Sequence, residues 1–262
     1  GDGLRAASRE TTRRERRRPD NQDMLWEILF RLPQDLYSLP RASAVCKQWR
    51  GILIDPKFLC RFHAHHRKPP LLGLFHYSTT QIVFTPVLAL PDRITPGRFS
   101  LGHCSSNILL DSRHGRVLVK DLVQKEIVVC DPITSKQHRM AIPPEFIDHY
   151  FSAAVLCAVS DQGHVHGGCH SCPFKVVLVS IYGEGQTVVC VYSSETATWG
   201  GLISTEAPHD GCLLDCPGTL VGSVLYWPLH IQGDNILEFD LDTQNLTVIK
   251  GPPDMQMYMT IF

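Results

Sequence analysis

IVVCDPITSKQHRMAIPP (residues 127–144), VVCVYSSETATWGGLIS (188–204) and ILEFDLDTQNLTVIKGPP (236–253) share one syntax. Each opens on a β-branched run, passes through an Asp or Ser/Thr turn, and crosses a polar or aromatic stretch into a second run. Such residues fit a pleated, half-buried surface, so the runs read as strands. The starts near residues 127, 188 and 236 lie about fifty to sixty residues apart. Four-stranded repeats of roughly forty to fifty residues mark propeller blades, and irregular insertions stretch the spacing. About 190 residues hold roughly four such blades.

Around the repeat, further short strands are expected at 81–84, 116–120, 126–130, 175–181, 187–192, 221–227 and 236–240, separated by turn signals at 111–115, 183–185 and 233–235. The apolar run 151–159 reads as a buried strand. After residue 75 no amphipathic helix is expected, apart from a turn or two around 144–151. The final MYMTIF reads as mid-strand, so the expected all-β domain, 73–262, is propeller-like and incomplete at its C-terminal side.

Toward the N-terminus the period changes. In DMLWEILFRL (23–32), Met24, Leu25, Ile28, Leu29 and Leu32 recur at helical spacing. Asp23 suits an N-cap or first turn, and Pro33 stops the helix. A second helix is expected from Ser38, with Pro40 in its first turn and Val45, Trp49, Ile52 and Leu53 on one stripe. After Asp55-Pro56, Phe58, Leu59 and Phe62 suggest one last short turn. Three short helices over 21–62 cannot bury much surface alone, so such a module packs against a partner. The polar, basic stretch HAHHRKPPLL (63–72) reads as a linker. Residues 1–20 contain seven arginines and one large apolar residue, Leu4, and are expected to be disordered. Their basic run is either a nuclear-import or nucleic-acid patch, or a solvated tail diluted by Glu10 and Glu15.

The chain as a whole has 262 residues, 44% hydrophobic and 19% charged, with net charge −1. That balance argues against a broad electrostatic footprint for nucleic acid or membrane, and no apolar run approaches the roughly 18 residues of a membrane span. The ten cysteines, with no apolar leader in the Arg-rich N-terminus, are read as reduced thiols of the cytoplasm and/or nucleus. Cys46, Cys130, Cys157 and Cys190 sit inside apolar runs, where cysteine behaves as a small hydrophobe.

DMLWEILFRLP (23–33), then Leu36, Leu39 and Arg41, then VCKQWRGILIDPKF (45–58), resemble the F-box motif of large plant families. HHRKPPLLGLF (65–75), the D-P-I-T turn (131–134), YSSETATW (192–199) and GSVLYW (222–227) resemble the F-box-associated β domains of grass proteins. The resemblance implies an α+β chain in which a three-helix F-box precedes the β domain. It implies a non-enzymatic substrate-recognition subunit of an SCF-type cullin–RING ubiquitin ligase. Its partners would be a Skp-type adaptor, a cullin through that adaptor, and a protein target. Carried onto matching positions, the adaptor contacts would be Met24, Ile28, Leu29, Leu32, Pro33, Leu36, Val45, Cys46 and Trp49. Two positions depart from the pattern: Asp20-Asn21 stand where the family places Leu-Pro, and Pro40 lies in the second helix. A second reading is a scaffold or regulatory protein with a degenerate F-box, binding through its Arg-rich tail or a zinc-holding His/Cys loop.

That loop is GHVHGGCHSC (163–172). His164, His166, Cys169 and Cys172 offer ligand types and a C-x-x-C spacing suited to tetrahedral zinc, and Cys212 and Cys216 form another close pair. One C-x-x-C with scattered histidines is a weak signal beside the alternative of an exposed glycine-rich loop, so no metal or other cofactor is expected. Catalytic signatures are missing: GTLVGS (218–223) lacks the lysine of a phosphate loop, and no G-x-S-x-G or H-E-x-x-H occurs. His103 and Cys104, adjacent on a strand, would point to opposite faces. No enzymatic activity is expected. Aromatics of the β domain (Tyr182, Tyr192, Trp199, Tyr226, Trp227) are either recognition anchors or core.

Overall fold

The repeated syntax is a repeated hairpin. The computed structural model describes residues 21–35, 37–66, 71–78, 81–88, 99, 101, 107–159, 169, 172–182, 185–206, 212–213, 217–230 and 235–251. It divides into two compact units, Gly1–Phe62 and His63–Phe262. In the second unit a hairpin of β1 (Gly73–Ser78) and β2 (Gln81–Pro86) is followed by three antiparallel sheets in chain order. The first pairs β3 (Asn107–Arg113), β4 (Arg116–Asp121), β5 (Glu126–Asp131) and β6 (Lys136–Ala141) consecutively. The second pairs β7 (Phe151–Cys157), β8 (Phe174–Ile181) and β9 (Gln186–Ser193), with β10 (Thr198–Trp199) and β11 (Ile203–Glu206) both on β9. In the third, β12 (Cys212–Leu213) and β13 (Thr219–Val221) both join β14 (Val224–His230), followed by β15 (Asn235–Asp240) and β16 (Asn245–Lys250). Sequential meanders of this kind are the elements of a propeller, and among the described residues they do not close into a barrel.

The three repeats are the hairpins β5–β6, β9–β10 and β15–β16, and their turns share one chemistry. The Asp131 carboxylate accepts the N–H groups of Ile133 and Thr134, and the Asp240 carboxylate those of Asp242 and Thr243. In the middle repeat the Ser193 hydroxyl takes this place, accepting from Glu195 at 3.3 Å. Each turn then ends on a residue with positive φ: Ser135, Ala197 and Gln244. The β4–β5 turn does the same, with Asp121 accepting from Val123 and Gln124 and Lys125 at φ 53°. Short polar side chains that imitate a backbone turn explain why these residues recur there.

Alternation then assigns each strand two faces. In the first sheet Leu118, Ile127, Val129 and Met140 pack with Ala153, Val155, Val176 and Leu178 of the second. The opposite face, Val117, Val119, Val128 and Cys130, is covered by Leu101 and by Phe75 and Ile82 of the β1–β2 hairpin. Ala154, Leu156, Val177, Val179 and Val189 of the second sheet meet Leu225, Trp227, Leu237 and Phe239 of the third. The middle sheet is therefore buried on both faces, which is why its strands read as near-continuous apolar runs. Burial pushes the Cys130 and Cys190 thiols up to about 11, as befits inert core residues.

Polar groups cross these junctions with partners. Trp227 Nε1 donates to Ser152 Oγ at 3.1 Å, Trp199 Nε1 to the Ala141 carbonyl at 3.0 Å, and His138 Nε2 lies 2.7 Å from the Tyr192 hydroxyl. A register shift in β3, with Leu110 as the extra residue, precedes Asp111; bulges re-aim side chains in this way. Asp111 accepts from the Val155 N–H at 2.9 Å and pairs with Arg113 at 3.0 Å, while Arg113 also donates to the Gly218 carbonyl. Gly218 is itself forced small, since a Cβ there would lie 2.5 Å from the Trp227 ring.

Three details depart from the sequence reading. The expected strand 221–227 is split by a turn at Gly222, where φ is +61°. By contrast, the expected turn or two at 144–151 is present, as a 3-10 turn, Pro144–Phe146, and a following turn in which the His149 N–H donates to the Phe146 carbonyl. In the first unit α1 (Asn21–Phe30) matches, but the second helix is two, α2 (Ser38–Ser43) and α3 (Lys47–Leu53), broken at extended Cys46. The last turn is a full helix, α4 (Pro56–His66), running into the expected linker. Asp55 starts α4 by accepting the Lys57 N–H. The tail 1–20, Leu36 and residues 67–70 of the linker lie outside the described residues.

Two outcomes are expected from the turns. Ala197→Gly relieves a left-handed L-residue, which costs ~1–2 kcal/mol, against ~0.4–1 kcal/mol of added unfolded-chain entropy. Urea unfolding should show a net gain of roughly 0.5–1 kcal/mol with an unchanged slope. Asp121 is held below the ordinary aspartate range by the Gln124 N–H, aided by Arg139 and opposed by burial. Its contribution is therefore present above the unfolded pKa and lost as pH falls through the folded one. Asp121→Ala should cost roughly 1 kcal/mol at neutral pH, by analogy with a lost cap, and the deficit should vanish in acid.

Candidate functional site

The first unit is small, yet α1 is apolar nearly all round. One side faces the unit's own core: Leu29 with Ala42, Ile52, Leu53, Phe58 and Phe62, flanked by Leu25, Trp26 and Phe30. Trp26 meets Phe58 edge-on at 4.9 Å and stacks on Phe30 at 5.7 Å, while Arg61 lies 5.0 Å over the Trp26 ring. On another side of the helix, Met24 and Ile28 are four residues apart and share a face, 53% and 56% exposed.

The break between α2 and α3 adds to the exposed apolar surface. Cys46 has φ −161° and ψ 169°, and its carbonyl accepts the Arg50 N–H at 3.0 Å, so it starts α3 as an N-cap without a capping side chain. Val45 beside it is 62% exposed, and Cys46 is exposed rather than a core hydrophobe. The break follows β-branched Val45 and Cys46, both weak helix formers. Ile54, just past α3 and 64% exposed, is a further apolar group that periodicity did not single out; its position against the Asp55-Pro56 break was the available signal.

The residues inferred as adaptor contacts thus fall into separate environments. Met24, Ile28, Pro33, Val45 and Cys46 are exposed, Leu32 and Trp49 are half-buried against the core, and Leu29 is fully buried. Leu36 lies outside the described residues. An exposed set of aliphatic residues on a unit with its own closed core is a surface that another protein can cover.

In the second unit the aromatics separate as well. Trp227 and Tyr192 are core, Tyr182 and Trp199 pack partly buried against the junction of the first two sheets, and Tyr226 is half-buried on the third. Of the loop ligands, Cys169 and Cys172 are described and lie beside a third cysteine, Cys157; the three sulfurs are all within 4.8 Å of one another. Cys157 had read as a hydrophobe within its apolar run, and nothing in linear spacing ties it to the C-x-x-C. His164, His166, Cys216, His103, Cys104 and the Cys212 side chain lie outside the described structure.

No family model matches the chain. It is similar to an F-box/kelch-repeat protein of Arabidopsis thaliana, 24% identical over 246 residues, 88% of this chain and 56% of that protein. An F-box only protein of the same plant is 24% identical over 243 residues, 88% of this chain and 59% of its own length. The chain thus spans under two thirds of each relative. Among solved structures, the WD40 domain of SCAP from fission yeast aligns at a TM-score of 0.29 with 8% identity, covering 52% of this chain and 30% of that one. The complex of the fission yeast SREBP and SCAP binding domains aligns at 0.36 with 8% identity, over 74% and 54%. Both scores are too low to add to the argument from topology.

The division between surface and core has a direct test. Leu29→Ala should cost roughly 3 kcal/mol, as large-to-small core changes do, and speed hydrogen exchange through α1. Ile28→Asp should change exchange little, because its side chain is more than half in water already.

Proposed function

We propose that the chain is the substrate-recognition subunit of an SCF-type cullin–RING ubiquitin ligase, its first unit an F-box and its second an F-box-associated β domain. The observation that carries this reading is the exposed aliphatic set Met24, Ile28 and Val45 on a unit with a closed core of its own. These positions match the F-box pattern, and the similarity to plant F-box proteins extends over 88% of the chain.

In this reading the exposed residues, with Pro33 and Cys46, form the adaptor surface. Leu32 and Trp49 sit at its border, and Leu29 supports it from beneath. Apolar area removed from water at roughly 25 cal/mol per Å² supplies the driving force. A cullin joins through the adaptor, and the β unit holds a protein target. The chain does no bond chemistry: it brings a target to the ligase, in the cytoplasm and/or nucleus.

Calorimetry of the full chain against a purified Skp-type adaptor tests the reading. Wild type should bind at ~1 μM or tighter. Met24→Asp and Ile28→Asp should each weaken binding by ~100-fold, about 2.7 kcal/mol, with circular dichroism unchanged. A folded wild-type chain that does not bind the adaptor would overturn the proposal. It would turn attention to Asp20-Asn21 in place of the family's Leu-Pro, and to a scaffold role.

A further inference from the structure

Three sulfurs converge where β7 ends. Cys157 is the last residue of that strand, while Cys169 and Cys172 lie in the connection leading to β8. The backbone holds the ends of this connection together. Cys157 is in register with Phe174, and the Ala158 N–H donates to the Pro173 carbonyl at 2.9 Å. The Cys172 N–H donates to the Cys169 carbonyl at 3.1 Å, the i to i+3 bond of a tight turn, which draws both ends of the C-x-x-C together. All three Sγ atoms lie within 4.8 Å of one another. Tetrahedral zinc with Zn–S bonds of about 2.3 Å asks for sulfur–sulfur edges of about 3.8 Å, within reach of that cluster.

A second observation concerns charge. Arg116, the first residue of β4, is only 5% exposed. Its Nη2 donates to the carbonyls of Cys169 and, at 2.6 Å, Cys172, and its guanidinium lies 5.3 Å over the Phe174 ring. Among the described residues no carboxylate pairs with it, and its buried Nη1 has no hydrogen-bond partner. A guanidinium does not shed its charge in a protein, and a buried charge calls for a compensating one. Three neutral thiols supply none. Three thiolates around a divalent ion carry a net charge of −1, of the sign that compensates Arg116.

We propose that Cys157, Cys169 and Cys172 bind one zinc ion, whose net negative thiolate shell is neutralised by Arg116. The soft sulfur set selects zinc over hard cations such as magnesium or calcium, and the fourth position belongs to a group outside these three. Two of the residues come from the C-x-x-C, and the strand-end Cys157 supplies the third. The ion fastens the β7–β8 connection to the end of β7, and Arg116 links that connection to the start of β4.

The test is metal analysis of the full chain, purified under reducing conditions without chelator. Wild type should carry one zinc per chain. Cys157→Ser, Cys169→Ser and Cys172→Ser should each fall to background, and Cys60→Ser, exposed on α4, should retain it. Because a serine variant can lose metal by misfolding, cobalt exchanged into the wild type gives the second readout. It should show the intense sulfur-to-cobalt charge-transfer band and the visible bands of a tetrahedral, thiolate-rich site. Wild type with neither zinc nor a cobalt spectrum would overturn the proposal. So would copper or iron in place of zinc, zinc retained in all three serine variants, or a disulfide among the three cysteines in the native mass spectrum.

Discussion

The second sheet has no outside. Its three long strands are apolar on both faces, so neither the first nor the third sheet can be removed without opening one of its faces to water. That constraint orders the β unit: the first sheet, covered in turn by Leu101 and the β1–β2 hairpin, seals one side, and Trp227 with Phe239 seals the other. Sheets that were polar on one face could stand alone or pair differently. A sheet without a polar face specifies two neighbours, and the specification is written in FSAAVLC, FKVVLVSI and QTVVCVYS themselves.

Stacked apolar faces would slide if nothing fixed their register, and the polar groups at the junctions do that. Asp111 is the most committed of them. Burial raises its pKa, against the pull of Arg113 and of the Val155 and Ser112 N–H groups. Its titration thus favours the fold fully below the unfolded pKa, and that contribution is lost as pH rises through the folded one. What the carboxyl group supplies is geometry: an acceptor for β7 and a partner for Arg113, which in turn reaches the Gly218 carbonyl beside Trp227. One β-bulge thereby connects all three sheets.

Strands were legible where both faces are buried, as in 116–120, 175–181 and 187–192, because a β-branched run leaves no other economical reading. β6, KQHRMA, was expected only as the second run of its repeat, since Met140 is its one fully buried side chain. The helix break at Cys46 and the length of α4 escaped because periodicity reports a stripe and not the backbone torsions that interrupt it. In the first unit the stripe named the right apolar residues but not their sides. Ile28 and Leu29 are neighbours in sequence and opposites in environment, and only packing against Phe58 and Phe62 distinguishes them. Cys157 was hidden for a related reason: its link to Cys169 and Cys172 runs across a strand pair, where linear spacing carries no trace.

The four tryptophans are distributed in a way that bears on how the molecule can be watched. Trp26 and Trp49 belong to the helical unit, Trp199 packs at the junction of the first and second sheets with its indole on the Ala141 carbonyl, and Trp227 is sealed between the second and third with its indole on Ser152. The β unit thus carries one tryptophan on each side of its middle sheet. Each reports on solvent entry at its own seam, so the order in which the sheets part can be followed by light without labelling the protein.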